Sequence, residues 1–281
     1  MTAIQKVDSQ LINRANRNCN QVIHSVIEKE LDHTVESSGL SIKIATQGIE
    51  TYVVDGKVID VPAGYFTIVQ EGRKVNFFSD SQKEIIGTCI YLESDLIQEV
   101  WAMNHWSLSQ QLDNPFQLPK APDLLDGRLY ALEEFPSFQA LLQQSRFQHI
   151  DETFFLNGAE QVLQIQEQNL NAVKNITAAK EKTKKELYQR LRTVYHFIVE
   201  NYREDISIDQ LSKVAFLSKF HLIRTFSQVY GKSPIKLLHH LRMAHAEALM
   251  ANQNKPDLGQ IAEEVGFHSK RSLVRFLRLR N

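Results

Sequence analysis

The apolar positions of this chain keep two different periods. Between residues 21 and 92 they alternate with polar ones in short runs: Leu40-Ser-Ile-Lys-Ile-Ala45, Thr51-Tyr-Val-Val54, Lys57-Val-Ile-Asp-Val61, Phe66-Thr-Ile-Val69, Val75-Asn-Phe-Phe78 and Ile85 to Leu92. The runs are separated by Gln47-Gly48, Asp55-Gly56, Ala63-Gly64 and Glu71-Gly72. A period of two bounded by such pairs predicts strands. Asp55-Gly56 is the strongest hairpin signal, because a two-residue primed turn needs positive φ at both central positions. Strands this short and evenly spaced predict a small barrel or sandwich rather than a parallel sheet. Around Ser94–Met103 the period turns helical, through Leu96, Ile97, Val100 and Trp101, and Pro115, Pro119 and Pro122 then break any long helix.

From about Gly127 to Tyr202 the pattern is helical almost throughout. Leu129, Leu132, Phe138, Leu141 and Leu142 make one apolar stripe, and Phe154, Phe155, Val162, Leu163, Ile165, Leu170 and Val173 make another. Such stripes either cover the strands or form, in part, a homodimer interface. Asn169 to Lys185 is polar and reads as a hinge or exposed helix, which places a domain boundary near residue 181: one domain over 1–181 and another over 182–281.

The second domain contains a repeat. Leu211-Ser-Lys-Val-Ala215-Phe-Leu217-Ser218 followed by Leu222-Ile-Arg224-Thr-Phe226 returns as Ile261-Ala-Glu-Glu-Val265-Gly266-Phe267 followed by Leu273-Val-Arg275-Phe-Leu277. The offset is 50 before the turn and 51 after it, so the second copy has one extra residue there. A short apolar-faced helix, a tight turn and a second helix opening on Ser and basic residues is the layout of a helix-turn-helix. Ser207 and Asp209 cap the first helix; Ser218 caps the next, Lys219 to Tyr230, which ends at Gly231. Pro234 opens a long helix towards Ala251 that would join the two copies. In the second copy Asp257 caps one helix and Ser269 begins the last.

With Leu222 and Phe226 inward, Phe220, Ile223 and Arg224 turn to the other face; with Leu273 and Leu277 inward, Lys270, Arg271, Ser272 and Arg275 do the same. Arg can donate two hydrogen bonds to a guanine edge in a major groove, whereas Lys and Ser suit phosphates, which hold register without carrying sequence.

Charge sharpens this picture. The net charge of −1 hides an asymmetry: residues 1–181 hold 14 Lys+Arg against 24 Asp+Glu, and residues 182–281 hold 18 against 9. A basic segment coinciding with the repeat points to a polyanion. Cys19 and Cys89 lack CxxC spacing and read as inert thiols in a reduced setting. The polar N-terminus lacks the apolar core of a signal peptide, and no window approaches a membrane span. The expected location is cytoplasmic.

The stretch from Leu187 to Asn281 resembles the DNA-binding domain of the AraC/XylS family of transcription regulators. The resemblance is carried by Ile206-Ser-Ile-Asp-Gln-Leu211, Leu217 to Phe226, Gly231-Lys-Ser-Pro234, Leu241-Arg242-Met-Ala-His-Ala246 and Ile261 to Phe267. It implies two helix-turn-helix units joined by a long helix, reading adjacent major grooves. It also implies that Lys219, Phe220, Ile223 and Arg224, with Ser269, Lys270, Arg271, Ser272 and Arg275, lie at the DNA. Family members usually continue past the second readout helix, whereas this sequence stops at Asn281; the last helix is expected to lose packing partners there. Residues Glu50 to Gly72 resemble the cupin-like barrel with which many such regulators sense a small molecule. The fold class expected is therefore α+β: an N-terminal cupin-like β-barrel with flanking helices and a C-terminal all-α domain.

What the resemblance implies is a sequence-specific DNA-binding regulator, more often an activator, responding to a small-molecule effector held inside the barrel at about residues 21–92. Double-stranded DNA, the effector, RNA polymerase and a second copy of the chain are the expected partners. The rival from another class is a cupin-type binding protein or enzyme with an incidental basic tail. No histidine lies between Gly48 and Gly72, so the His-x-His and Glu set of a metal-dependent cupin is missing. His239, His240 and His245 lack the i, i+4 pairing of a helical metal site, and no Ser/His/Asp set or phosphate loop appears. Neither an enzyme, a metal nor a cofactor is expected.

Overall fold

The computed structural model describes residues 2–6, 19–27, 31–36, 39–79, 85–113, 121, 128–147, 150–174, 176, 181–251 and 257–280. The chain divides into two compact units, Met1–Glu167 and Gln168–Asn281. Strands lie in the first and helices make up the second, so the fold is α+β with N-terminal sheets and C-terminal helices.

Ten strands are described in the first unit: β1 (Thr2–Lys6), β2 (Gln21–Ile27), β3 (Leu31–Glu36), β4 (Leu40–Gln47), β5 (Ile49–Val54), β6 (Lys57–Pro62), β7 (Tyr65–Val69), β8 (Lys74–Ser79), β9 (Ile85–Leu92) and β10 (Leu129–Ala131). They form a six-stranded sheet, β1-β2-β9-β4-β7-β10, and a four-stranded sheet, β3-β8-β5-β6. Among the described residues no ladder closes one sheet onto the other; the strands give two sheets rather than a closed barrel. The chain passes between sheets at Gly48 (φ 76) and Gly64 (φ 84). Those turns are pinned by Ala63 N–H to the Gly48 carbonyl (2.9 Å) and Gly64 N–H to the Ala45 carbonyl (3.1 Å). Asp55 (φ 49) and Gly56 (φ 82) make the β5–β6 hairpin, with the two positive φ angles a primed turn requires.

One face of the larger sheet carries Val22, Leu40, Ile42, Ile44, Phe66, Ile68, Ile90 and Leu92. Helices α1 (Ser94–His105), α3 (Pro136–Phe147) and α4 (Glu152–Lys174) cover it, with α2 (Leu108–Asp113) between the first two in sequence. Leu96, Ile97 and Val100 of α1, Phe138, Leu141 and Leu142 of α3, and Phe154, Phe155, Val162 and Leu163 of α4 complete this core. The Phe66 ring stacks on Phe138 at 4.8 Å and on Tyr130 at 5.1 Å. Two expectations change here. Leu129–Ala131, read as helical, is a strand paired antiparallel to β7, because three extended residues complete the sheet edge before Pro136 opens α3. Most of the apolar stripes expected in part to serve a homodimer are instead buried within the chain against the sheet.

The second unit takes in the last residues of α4 and then α5 (Glu181–Asn201), α6 (Ile208–Ala215), α7 (Lys219–Tyr230), α8 (Pro234–Met250), α9 (Leu258–Glu264) and α10 (Lys270–Arg280). α8 packs against α5 and α7 and against α9 and α10. At 17 residues it is about 25 Å long. Eleven of those residues are buried, Pro234, Arg242 and His245 among them. Around its C-terminal half Met243, Ala246 and Leu249 meet Ile261, Ala262, Val265, Phe267 and Leu273. Among the described residues no helix is long and apolar enough to cross a membrane.

Candidate nucleic-acid interface

Local chemistry sets each helix of the second unit. Ser207, Ser218 and Ser233 accept hydrogen bonds from the backbone N–H groups of Gln210, His221 and Lys236, satisfying donors left open at the first turns of α6, α7 and α8. Asp257 caps α9 within a capping box completed by Gln260. Ser269 and Ser272 bind one another reciprocally at the start of α10: the Ser269 hydroxyl accepts from Ser272 N–H and the Ser272 hydroxyl accepts from Ser269 N–H, both at 3.2 Å. Gly231, at φ 72, ends α7.

The two helix pairs turn apolar faces inward and leave a chemically distinct face outside. In α7, Leu222 and Phe226 are fully buried, and Phe226 and Tyr195 both lie against Tyr230, at 4.5 and 4.8 Å. Phe220 and Ile223 are exposed, at 75% and 41%, beside exposed Lys219, His221 and Arg224. In α10, Leu273 is fully buried, while Lys270, Arg271, Arg275 and Arg278 are exposed. Every readout position expected from the sequence therefore sits on α7, on α10 or at the cap of α10. Two are already engaged within the helix: Ser269 and Ser272 hold the cap, and Ser272 is half-buried. Two more carry ion pairs, Lys219 with Asp209 and Lys270 with Asp257 at 3.2 Å. Phe220, Ile223, Arg224, Arg271 and Arg275 point outward from the helices.

The turn after α5 is a junction that sequence reasoning passed over. Arg242 of α8, 4% exposed, donates from Nε to the Tyr202 carbonyl and from an η nitrogen to the Glu204 carbonyl, both at 2.6 Å. Burial holds its guanidinium below the usual range, countered by Asp205. Its guanidinium also stands 5.8 Å from the Phe267 ring centre. His245 Nδ1 shares a 2.7 Å hydrogen bond with the Tyr202 hydroxyl. His239 lies against Phe276, 4.3 Å between ring centres, with its pKa lowered by burial and by Arg242. Both histidines have partners within this unit, and among the described residues no group of His, Cys, Asp and Glu could hold a metal ion. The Arg203 carbonyl reaches Gly266 so closely that a Cβ there would collide with it. Beside this turn a cleft of about 440 Å³ is lined by residues including Glu204, Asp205 and Glu263, an acidic contrast to the exposed cations of α10.

A second polar site lies between the sheets of the first unit. Lys43 on β4 faces Cys89 and Tyr91 on β9, and its ammonium donates to the Tyr91 hydroxyl at 3.1 Å. Burial works against that charge, but Cys89, Tyr91 and Glu50 outweigh it and hold the group cationic. From the smaller sheet Glu50, 1% exposed, accepts a 2.8 Å hydrogen bond from the Tyr52 hydroxyl. Burial pushes the Glu50 carboxyl up to about 7, although Tyr52, Lys43 and Ser25 pull it down. Gly87 makes room for this carboxylate, since a Cβ there would overlap it. The hydroxyls of Ser41 and Thr67, beside Lys43 on the same face, are buried and find no hydrogen-bond partner among the described residues.

Comparisons with known proteins bear on the second unit. Residues 211–280 match the family model of the helix-turn-helix domain. An uncharacterized HTH-type transcriptional regulator of Haemophilus influenzae is 34% identical over 82 residues, 29% of this chain and 27% of that one. The uncharacterized HTH-type transcriptional regulator YbfI of Bacillus subtilis is 29% identical over 66 residues, 24% of each chain. The matched segments thus span about a quarter of each relative. Among solved structures, ToxT from Vibrio cholerae is similar with a TM-score of 0.37 and 11% identity, over 92% of this chain and 93% of that one. A salicylate 1,2-dioxygenase from Pseudaminobacter salicylatoxidans is similar with a TM-score of 0.27 and 9% identity, over 47% and 43%.

Proposed function

We propose that this chain is a sequence-specific DNA-binding transcription regulator of AraC/XylS type. In this reading α6–α7 and α9–α10 are two helix-turn-helix units joined by α8, and α7 and α10 enter successive major grooves. The observation that carries it is the outward face of the repeat: Phe220, Ile223 and Arg224 on one helix, and Arg271 and Arg275 on the other, are exposed while Leu222 and Leu273 behind them are fully buried. Arg224 and Arg275 serve as base readers; Lys219, Lys270 and the N-terminal ends of α7 and α10 hold phosphates. Counterion release makes binding weaken steeply with salt.

The functional boundary stands near residue 181, where α5 begins. The two facing sheets act as the cupin-like sensing module, and the cluster of Lys43, Glu50, Tyr52, Cys89 and Tyr91 gives a small-molecule effector polar groups inside an otherwise apolar interior. An effector acts by binding two states of the regulator with different affinity.

The test is selection of bound sequences from random duplex DNA, with and without a metabolite mixture. Arg224→Ala and Arg275→Ala should each cost about 1–3 kcal/mol on the selected site and little on random DNA. Equal losses on both would leave those arginines a phosphate role. Failure to enrich any sequence would refute the regulator reading.

A further inference from the structure

The two outward helices are not chemical copies. Aligned through their serine caps, Phe220 of α7 stands where α10 has Arg271, and Ile223 stands where α10 has half-buried Val274; Arg224 and Arg275 correspond. One helix therefore offers an aromatic ring where the other offers a cation, and an exposed Ile where the other has a half-buried Val.

The turn before α7 adds an independent observation. Phe216 adopts φ 52, a left-handed conformation, and is 82% exposed. Its counterpart in the second copy is Gly266, at φ 84. Glycine is required at that place, because the Arg203 carbonyl leaves no space for a Cβ. At 216 the chain instead carries a bulky aromatic in a conformation that disfavours any side chain, and then leaves it in water. Neither choice helps the fold. Among the described residues seven large apolar side chains are exposed, and the three at 216, 220 and 223 form one sequence-local group beside Lys219 and Arg224. The cations that border the group match a polyanion, and in the major groove the apolar feature available to such side chains is the thymine 5-methyl group.

Resting on the DNA-reading function above, we infer that α7 recognises thymines through their methyl groups, with Phe220 and Ile223 on the methyls and Phe216 sealing the edge of the contact. α10 reads its own segment through arginine. The operator is accordingly asymmetric: thymines accompany the base read by Arg224 under the first helix pair, whereas arginine contacts alone mark the segment under the second.

The experiment uses the full chain and the duplex it selects. Replacing each thymine with deoxyuridine removes the methyl and keeps the base-pairing edge. Burying one methyl-sized group changes affinity about fourfold, so each contacted thymine in the α7 segment should cost about that factor, and uridines under α10 should cost little. In Phe220→Ala, a change at a 75% exposed position, the uridine penalty should shrink in the α7 segment alone, leaving the part that Ile223 contributes. Phe216→Gly should melt at a higher temperature than the parent chain yet bind the thymine duplex more weakly, a combination that a structural role cannot produce. Sequence-selective binding indifferent to the methyls would overturn this inference while leaving the regulator standing. No selective binding at all would overturn both. Phe220→Ala lowering the molar mass in solution would assign the face to a protein contact and also overturn it.

Discussion

Replacing Gly266 with Ala tests how the second helix pair is held. The cost has two parts. Residue 266 sits at φ 84, and an L side chain in the left-handed region costs about 1–2 kcal/mol. The new Cβ would also overlap the Arg203 carbonyl, a backbone atom rather than a flexible side-chain end. That carbonyl cannot retreat easily, because Arg242 grips the carbonyls on either side of it, at Tyr202 and Glu204, each at 2.6 Å. Overpacking of this kind costs about 1–3 kcal/mol, so the sum is about 2–5 kcal/mol. Gly231 provides the control within the same unit: it has φ 72, but a Cβ there meets no atom within 4 Å. Gly231→Ala should therefore show the conformational part alone, and the difference between the variants isolates the collision. Urea denaturation followed by circular dichroism gives the totals, and hydrogen exchange over residues 257–280 locates the loss. If Gly266→Ala costs no more than Gly231→Ala, the close approach of Arg203 does not constrain the fold.

Glu50 makes stability depend on pH in the unusual direction. Its carboxyl is raised by burial from 4.5 to about 7 in the fold, so between those values the native state keeps a proton that the unfolded chain has released. Stability should fall as pH rises across that window, by about 3 kcal/mol for this group, and Glu50→Gln should remove that slope in denaturation curves taken from pH 4.5 to 7.5; an unchanged slope would mean that Glu50 is already ionised. Arg242→Met keeps an unbranched apolar stem and leaves the Tyr202 and Glu204 carbonyls without their donor, which should cost about 3 kcal/mol or more. Ser218→Ala removes the cap of α7 and should cost about 1 kcal/mol, read as faster amide exchange in residues 219–223.

What could be read from the pattern depended on whether the deciding contact was local. The ends of α7 were legible because Ser218 and Gly231 act on their own neighbours, through a cap and a left-handed stop. The inward placement of Leu222, Phe226 and Leu273 followed from helical spacing. The cluster around Lys43 was not legible. Ser41 and Lys43 alternate with Leu40, Ile42 and Ile44, and alternation alone would send them to solvent; they are instead 1% and 7% exposed, because the larger sheet is covered on both faces. Nothing in β4 announces that Glu50 will arrive from another sheet, or that Gly87 will leave space for it. β10 escaped for a related reason: three residues are too few to show a period, and only the exposed edge of β7 makes them a strand.

The repeat shows how one local motif can be held in place by different means. In the first pair the turn residue is Phe216, left-handed with its carbonyl accepting a 3.4 Å hydrogen bond from Arg190 of α5, and α7 is anchored by Tyr230, whose ring lies against Tyr195 and Phe226. In the second pair the turn residue is Gly266, fixed by the carbonyl of Arg203, and that segment is fixed in turn by Arg242. Both anchors lead to α5 and α8. The placement of α7 and α10 is thus set by the buried face of α8, including Leu237, Leu238 and Leu241 towards one end and Met243, Ala246 and Leu249 towards the other. In the proposed reading, a residue on that face changes the register between α7 and α10 without itself reaching the DNA. Substitutions inside α8 should therefore alter the preferred spacing between the two segments of a bound site before they alter the bases preferred within each segment.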